Sequence, residues 1–483
     1  MRWDLVFLGI ILLSLSRAAA PFLGGGLWWD EVVYLGLAQS LGKGFYSLSP
    51  GLPVESFRPP LFPILLAPLS FSLEAMKLLA FAVSLISIFT VYSLARPFGK
   101  RPALLATLFF STSSLFVFSS TKLLTEPLFG AFLSLALLSF FRFQETGKPG
   151  SLMLCGLATG LAFLTRYFAT ILIAALVLSI LSQRFSRQFI GGATVPKPTT
   201  FHTARDLILF LLPLLLVISP WLLLSQLSYG SPWGAYFANI SAYAASVPQS
   251  FLQGLWDILG FFTYLLPLLL AFFLFERKKT LSPRLLPLTL LFLLTLATFL
   301  AIPHKEARYF LSFLPLFCLL AALGAERLFP VKKVAFFLPP ALVLLAFLTF
   351  SQGLQASLED VQATALVDAS LYLKEVSAPE DLVLTQSYPF VMVLSERQVI
   401  TTCELAGTPT FDQCQGRILQ EEFPLEQLEA TLDRYPVQYV LSSSYEPSNP
   451  PASRQVIEQR FDKLKSFPQW GNPEAVVVYK RRN

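Results

Sequence analysis

Apolar residues run in blocks of about twenty through the first three quarters of the chain, the length at which a helix crosses the hydrocarbon. The runs lie near 5–23, 73–94, 103–120, 123–141, 151–165, 167–183, 207–227, 256–275, 286–303, 308–325 and 334–352. They are apolar all round, whereas a soluble amphipathic helix keeps a polar face. The pattern predicts a mainly α fold: a polytopic bundle of about eleven spans over residues 1–353. Turns between the third and fourth and between the fifth and sixth spans are very tight. Residues 24–72 form a long first outer loop, with a helical pattern near 30–42 and Pro59, Pro60 and Pro63 breaking its later part. Its aromatics, Trp28, Trp29, Phe45, Tyr46 and Phe57, suit a segment lying in the membrane interface.

The pattern changes after residue 353. Residues 354–483 read as a small soluble α/β domain. A helix near 357–376 precedes strand-like runs at 382–386, 437–442 and 475–479. Helical patterns near 424–433 and 452–464 lie between them.

Charge adds sidedness. Charged residues make up 14% of the chain, against about a quarter in soluble domains. The net charge of +6 divides into +13 over residues 1–353 and −7 over residues 354–483. A basic excess confined to the membrane part points to positive-inside loops and away from nucleic acid. One set of loops holds Arg96, Lys100, Arg101, Arg142, Lys148, Arg184, Arg187, Lys197, Arg205, Arg277, Lys278, Lys279, Arg284, Arg327, Lys332 and Lys333. The opposite set is sparser. The bias predicts a multi-pass cell-membrane protein with a cytoplasmic N-terminus and an extracytoplasmic C-terminal domain. Ala18-Ala19-Ala20 imitates a signal-peptide cleavage site, but the length of the run and Asp4 favour a retained anchor. Cys155 and Cys318 lie in apolar runs. Cys403 and Cys414 lie in the domain placed outside, where disulfides persist, and are a disulfide candidate.

The outer loops hold few ionisable residues, and these recur at the ends of separate spans. Asp30 and Glu31 are adjacent, and Glu55 and Arg58 follow. Glu126 sits beside Lys122 at a tight turn, and Arg166 ends the fifth span. His304, Lys305, Glu306 and Arg308 precede the tenth span. Taken singly, such charges are solvated helix ends that anchor spans. Taken together, they suit an anionic ligand and its counter-charges. A departing phosphate needs cations, for which Arg58, Arg166, Lys305 and Arg308 are candidates. An acceptor hydroxyl needs a base, and Asp30, flanked by aromatics, is the best placed. On position alone, losing that base lowers turnover with little change in donor affinity.

These residues resemble the GT-C glycosyltransferases that use polyprenyl-phosphate sugars, nearest in pattern to the protein O-mannosyltransferase and aminoarabinose-transferase branches. The likeness rests on Trp29-Asp30-Glu31 with Tyr34 and Ala38, then Arg58-Pro59-Pro60-Leu61, Thr125-Glu126-Pro127, residues 156–166 (GLATGLAFLTR) and Glu306-Ala307-Arg308-Tyr309. The resemblance implies a catalytic or acceptor-activating acid at Asp30, with Glu31 organising the donor sugar or a metal. It implies phosphate-binding cations at Arg58, Arg166, Lys305 and Arg308. Glu126, Glu306, Tyr34, Tyr309 and His304 are further site candidates. The implied partners are a polyprenyl-phosphate sugar donor, membrane lipids and a protein or lipid/glycan acceptor. No cofactor is required, and a divalent metal is admitted. WWDE is not the oligosaccharyltransferase signature Trp-Trp-Asp-Tyr-Gly, which argues against an Asn-directed, metal-dependent transferase. The rival readings are a transporter or flippase for lipid-linked substrates and a non-catalytic membrane scaffold.

Overall fold

The computed structural model describes residues 3–16, 26–48, 54–189, 203–245, 265–276, 284–302, 307–328, 332–359, 364–401, 425–443, 451–469 and 471–482. The architecture is a mainly α bundle of apolar helices with a small sheet near the C-terminus. Each apolar run holds a helix. Leu73–Ala95, Glu126–Thr146, Pro149–Phe163, Ala169–Phe189, Thr203–Tyr229, Leu286–Ala301 and Lys332–Glu359 track the expected spans closely. Three described stretches are long and apolar enough to cross a membrane by length and composition alone, Leu73–Phe98, Glu126–Thr146 and Thr203–Tyr229. Shorter apolar helices, Pro149–Phe163, Ala169–Ser182, Leu286–Ala301 and Pro340–Ala356, accompany them. The expected span at 103–120 is broken at Ser113 into Lys100–Thr112 and Ser114–Ser119, because Ser113 leaves the helical region at ψ 129°.

Small residues let the helices approach closely. A Cβ on Gly156 would lie 2.0 Å from the carbonyl oxygen of Phe210, and one on Gly160 would lie 3.1 Å from that of Leu214. The two glycines stand four apart, so they share one face against the Thr203–Tyr229 helix. This is the small-xxx-small contact of membrane helices, which have no hydrophobic drive to associate and depend on close packing. It explains the glycine spacing of the 156–166 motif without catalysis, and it fixes the helix whose end carries Arg166.

The helix expected in the first loop spans Trp29–Gly42. It does not lie on a surface: Val32, Val33, Leu35, Leu37 and Ala38 are all buried. Val33 and Leu37 join the core of the bundle. Val32, Tyr34, Leu35 and Ala38 join a second core with Leu366, Tyr388, Phe390 and Val393 from the C-terminal region. The helix is therefore sandwiched, and its apolar residues bury protein rather than lipid.

The C-terminal strands are β1 (Leu382–Leu384), β2 (Gln398–Ile400), β3 (Tyr439–Ser443), β4 (Phe461–Gln469) and β5 (Asn472–Arg481), in the order β2-β1-β3-β5-β4. β1 runs parallel to β2 and β3; β5 is antiparallel to β3 and β4. The helix Leu425–Arg434 agrees with the sequence pattern near 424–433, whereas the pattern near 357–376 takes in the end of Lys332–Glu359 and the separate helix Thr364–Val376. The pattern at 452–464 overruns its helix, Pro451–Arg460: from Phe461 the chain is strand. A helical turn at Tyr388–Phe390 leads into a π-turn at Val391–Ser395. Buried Arg397 holds this turn to the Thr364–Val376 helix by donating to the carbonyls of Lys374, Ser377 and Ser395.

Candidate functional site

Four stretches far apart in sequence meet at one locus. The first is the N-terminal turn of the Trp29–Gly42 helix. Glu31 stands at its third position and reaches back to the N–H of Trp28 at 3.0 Å, the return half of a capping box. Its other oxygen accepts the N–H of Leu123 at 2.9 Å. Both carboxylate oxygens are thus engaged by backbone, and the side chain is fully buried. Asp30, one residue earlier, points elsewhere and is partly exposed.

The second stretch carries Arg58. Tyr46 donates its hydroxyl to the Arg58 carbonyl at 2.7 Å, and Tyr229 donates to the Val54 carbonyl at 2.5 Å. The N–H of Leu61 reaches the Leu164 carbonyl at 2.9 Å, tying the Pro59-Pro60 turn to the helix end that precedes Arg166. So anchored, Arg58 places Nη2 2.5 Å from Asp30 Oδ1 and Nη1 3.5 Å from Glu55 Oε1. Its Nε is buried without a hydrogen-bond partner.

The third stretch is the turn before Glu126–Thr146. The sequence suggested a solvated helix end, but Ser120, Thr121, Lys122, Leu123, Leu124, Thr125 and Glu126 are all buried. Glu126 pairs with Arg166 Nη1 at 2.5 Å, while its Oε2 makes no hydrogen bond. Thr125 Oγ1 accepts from Arg166 at 3.2 Å and shares a contact of 3.4 Å with the Tyr34 hydroxyl.

The fourth stretch begins at Ala307. Arg308 Nη1 pairs with Asp30 Oδ2, so Asp30 holds one guanidinium on each oxygen. The Tyr309 ring lies 5.9 Å from the Arg308 guanidinium and 6.0 Å from that of Arg166, within cation–π range. His304, Lys305 and Glu306 lie outside the described residues, as do Cys403 and Cys414. Among the described residues no three His, Cys, Asp or Glu side chains gather as a metal site requires.

Electrostatics follow the pairing. Burial by itself would raise the Asp30 carboxyl, but Arg308 and Arg58 outweigh it and hold the group well below the usual carboxylate range. Burial, with Asp30 nearby, pushes Tyr34 up to about 12 and keeps the phenol neutral. The arrangement sets Asp30 between Arg58 and Arg308, with Arg166 close by on Glu126 and Thr125, and guanidiniums so gathered can hold a multivalent anion.

The structure thus brings together Asp30, Arg58, Arg166, Arg308, Glu126, Tyr34 and Tyr309. Sequence reasoning missed Thr125 as a link between Tyr34 and Arg166, and missed the aromatic seat of Trp29, the residue before Asp30. Trp29 packs edge-on to Tyr388, with ring centroids 5.2 Å apart, and also meets Phe390 at 6.4 Å. The apolar run around Tyr388 and Phe390 was the available signal.

A family model described as dolichyl-phosphate-mannose-protein mannosyltransferase matches residues 58–223. Among solved structures, ArnT from Cupriavidus metallidurans bound to undecaprenyl phosphate superposes with a TM-score of 0.67 at 13% identity, covering 99% of this chain and 98% of that one. The Archaeoglobus fulgidus oligosaccharyltransferase tethered with an acceptor peptide gives a TM-score of 0.56 at 14% identity, covering 97% of this chain and 75% of that one. Archaeoglobus fulgidus AglB, in complex with an inhibitory peptide and a dolichol-phosphate, gives 0.54 at 14% identity, covering 91% and 69%. No curated protein matches by sequence. The chain has the GT-C fold, as its ordered motifs imply.

Proposed function

We propose that this chain is a membrane glycosyltransferase that moves a sugar from a polyprenyl-phosphate donor to an acceptor hydroxyl on the outer side of the membrane. The observation that carries the reading is the meeting of Arg58, Arg166 and Arg308 around Asp30 from distant parts of the sequence. Arg58 and Arg308 share the single carboxylate of Asp30 while Arg166 is paired with Glu126, so the two that share Asp30 are placed to grip a phosphate. The ArnT neighbour, similar over the full length of both chains, holds undecaprenyl phosphate.

The reaction is a direct displacement. The acceptor oxygen attacks the anomeric carbon, and Asp30 takes its proton. The bond from that carbon to the phosphate oxygen breaks, and its electron pair stays on the phosphate. The guanidiniums stabilise the charge that develops there. Phosphate is a good leaving group, so no strong general acid is demanded. Glu31 keeps a positioning role, since backbone N–H groups hold both of its oxygens. The acceptor is a protein or a lipid/glycan hydroxyl. A transporter is less well supported, because such proteins keep their polar groups at broken helices near the bilayer midplane. Here the charges sit at helix ends and in the first loop.

The test is turnover in proteoliposomes with a panel of polyprenyl-phosphate sugars, following release of polyprenyl phosphate. Release by wild type and not by Asp30→Asn supports the reading. A folded wild type that releases nothing from any donor overturns it.

A further inference from the structure

We propose that Asp30 and the donor's phosphate compete for the same two guanidiniums, Arg58 and Arg308, so that Asp30 acts as a base only while a phosphate holds them. The inference rests on the transferase reading and adds to it a base that the donor switches on.

The geometry poses a conflict that competition resolves. Arg58 Nη2 stands 2.5 Å from Oδ1 of Asp30, and Arg308 Nη1 pairs with Oδ2. A carboxylate with a cation on each oxygen is a poor proton acceptor, because both cations favour its charged form. The cations best placed for a phosphate are therefore those that silence the base. Arg58 is also incompletely satisfied. Its Nε is buried without a partner, and its Nη1 reaches Glu55 only at 3.5 Å. An idle buried donor is costly, and a phosphate can present two oxygens to the Nε and Nη2 fork. Arg58 and Arg166 are exposed alike, at 12% and 14%, but their partners differ: Asp30 is 17% exposed and also holds Arg308, 23% exposed, whereas Glu126 is fully buried. The Asp30 pairs are thus the ones an incoming headgroup can reach, while Arg166 stays held by Glu126 and Thr125.

The cycle balances. Phosphate oxygens draw Arg58 and Arg308 from Asp30, which regains basicity. The acceptor O–H gives its proton to Asp30 as its oxygen bonds to the anomeric carbon. The carbon–oxygen bond to the phosphate breaks with its electron pair on that oxygen. Asp30 then yields the proton to water and re-forms its two pairs, which helps to displace polyprenyl phosphate.

The experiment is equilibrium binding of undecaprenyl phosphate to the full chain in nanodiscs. Asp30→Asn removes the competing charge and is expected to bind more tightly than wild type by about tenfold, a usual size for coupled sites. Asp30→Glu keeps the charge and should bind as wild type does. An Asn variant that binds equally or more weakly overturns the competition and leaves the donor class standing. If neither wild type nor variant binds undecaprenyl phosphate, the donor-class reading fails and takes this proposal with it. Should Asp30→Asn not fold, wild type alone suffices. Undecaprenyl phosphate should speed modification of Asp30 by a water-soluble carbodiimide, read by mass spectrometry, because it releases the carboxylate. Protection or an unchanged rate would overturn the proposal.

Discussion

Glu31 Oε1 accepts the backbone N–H of Leu123 at 2.9 Å, joining residues 92 positions apart at the root of the candidate site. Its Oε2 meanwhile accepts from Trp28 at 3.0 Å. Both oxygens must be acceptors, so Glu31→Gln is not neutral: the amide nitrogen would face a backbone N–H. A buried donor left unmet costs about 1–3 kcal/mol. We expect Glu31→Gln to lower the thermal midpoint clearly and to reduce turnover modestly, as the 120–125 turn loosens beneath Thr125. A variant as stable as wild type, with turnover abolished, would instead assign Glu31 to the chemistry.

Asp30→Asn should strike turnover much harder than Glu31→Gln does. Removal of a general base typically costs about 10²–10⁴ in rate. Position alone argues for unchanged donor affinity; the two ion pairs argue for a gain. The pairs also set a pH dependence. The folded carboxyl is depressed, so its stabilisation is present above the ordinary carboxylate value and lost as pH falls through the folded one. Wild type should therefore keep its advantage in thermal midpoint over Asp30→Asn from neutral pH down to about 4 and lose it only at lower pH. An advantage that vanishes between pH 7 and 5 would mean the carboxyl is not held low.

Gly36 offers a test of how the C-terminal region supports the site. A Cβ there would lie 2.5 Å from Cγ2 of Val393 and 3.0 Å from Cδ2 of Leu48. Gly36→Ala must push the Val391–Ser395 turn away from the helix that carries Asp30. Overpacking of this kind costs about 1–3 kcal/mol. The expected result is lower kcat in Gly36→Ala and recovery in Gly36→Ala with Val393→Ala, because the second change opens the space. Equal losses in the single and double variants would show that the contact does not position Asp30.

Much of the bundle and of the candidate site is legible in the sequence. The Leu73–Ala95 helix is so evenly apolar that length alone finds it, and Asp30, Arg58, Arg166 and Arg308 stand out because charge is scarce around them. Their pairing was not legible, since nothing local links Asp30 to Arg308 across 278 positions. The resemblance implies that Glu31 organises the donor sugar or a metal, and its two backbone hydrogen bonds were not legible because a carboxylate carries no sequence mark of what its oxygens accept. The burial of Val32 and Leu35 against the C-terminal region was hidden because an apolar face fits lipid and protein equally. In the sheet, β2 is only three residues long, and β4, FDKLKSFPQ, carries charges that mask its alternation. Leu464 extended a false helical period into that strand.

Topology is the remaining prediction, and the site's access to its donor depends on it. The Lys/Arg bias places the turn at Lys148 inside and the C-terminal sheet outside. If so, Asp30 and its guanidiniums face the outside too, because the Trp29–Gly42 helix packs on Tyr388, Phe390 and Val393 of that C-terminal region. Lys148 and Gln455 are exposed, at a helix start and on the Pro451–Arg460 helix. Cysteine is placed at each in turn, in a chain with Cys403 and Cys414 changed to serine; Cys155 and Cys318 are buried. An impermeant maleimide added to intact cells should label Gln455→Cys at once, and Lys148→Cys only after the membrane is opened. The reverse order would put the Asp30 site on the cytoplasmic face, and the donor would then have to be one displayed there.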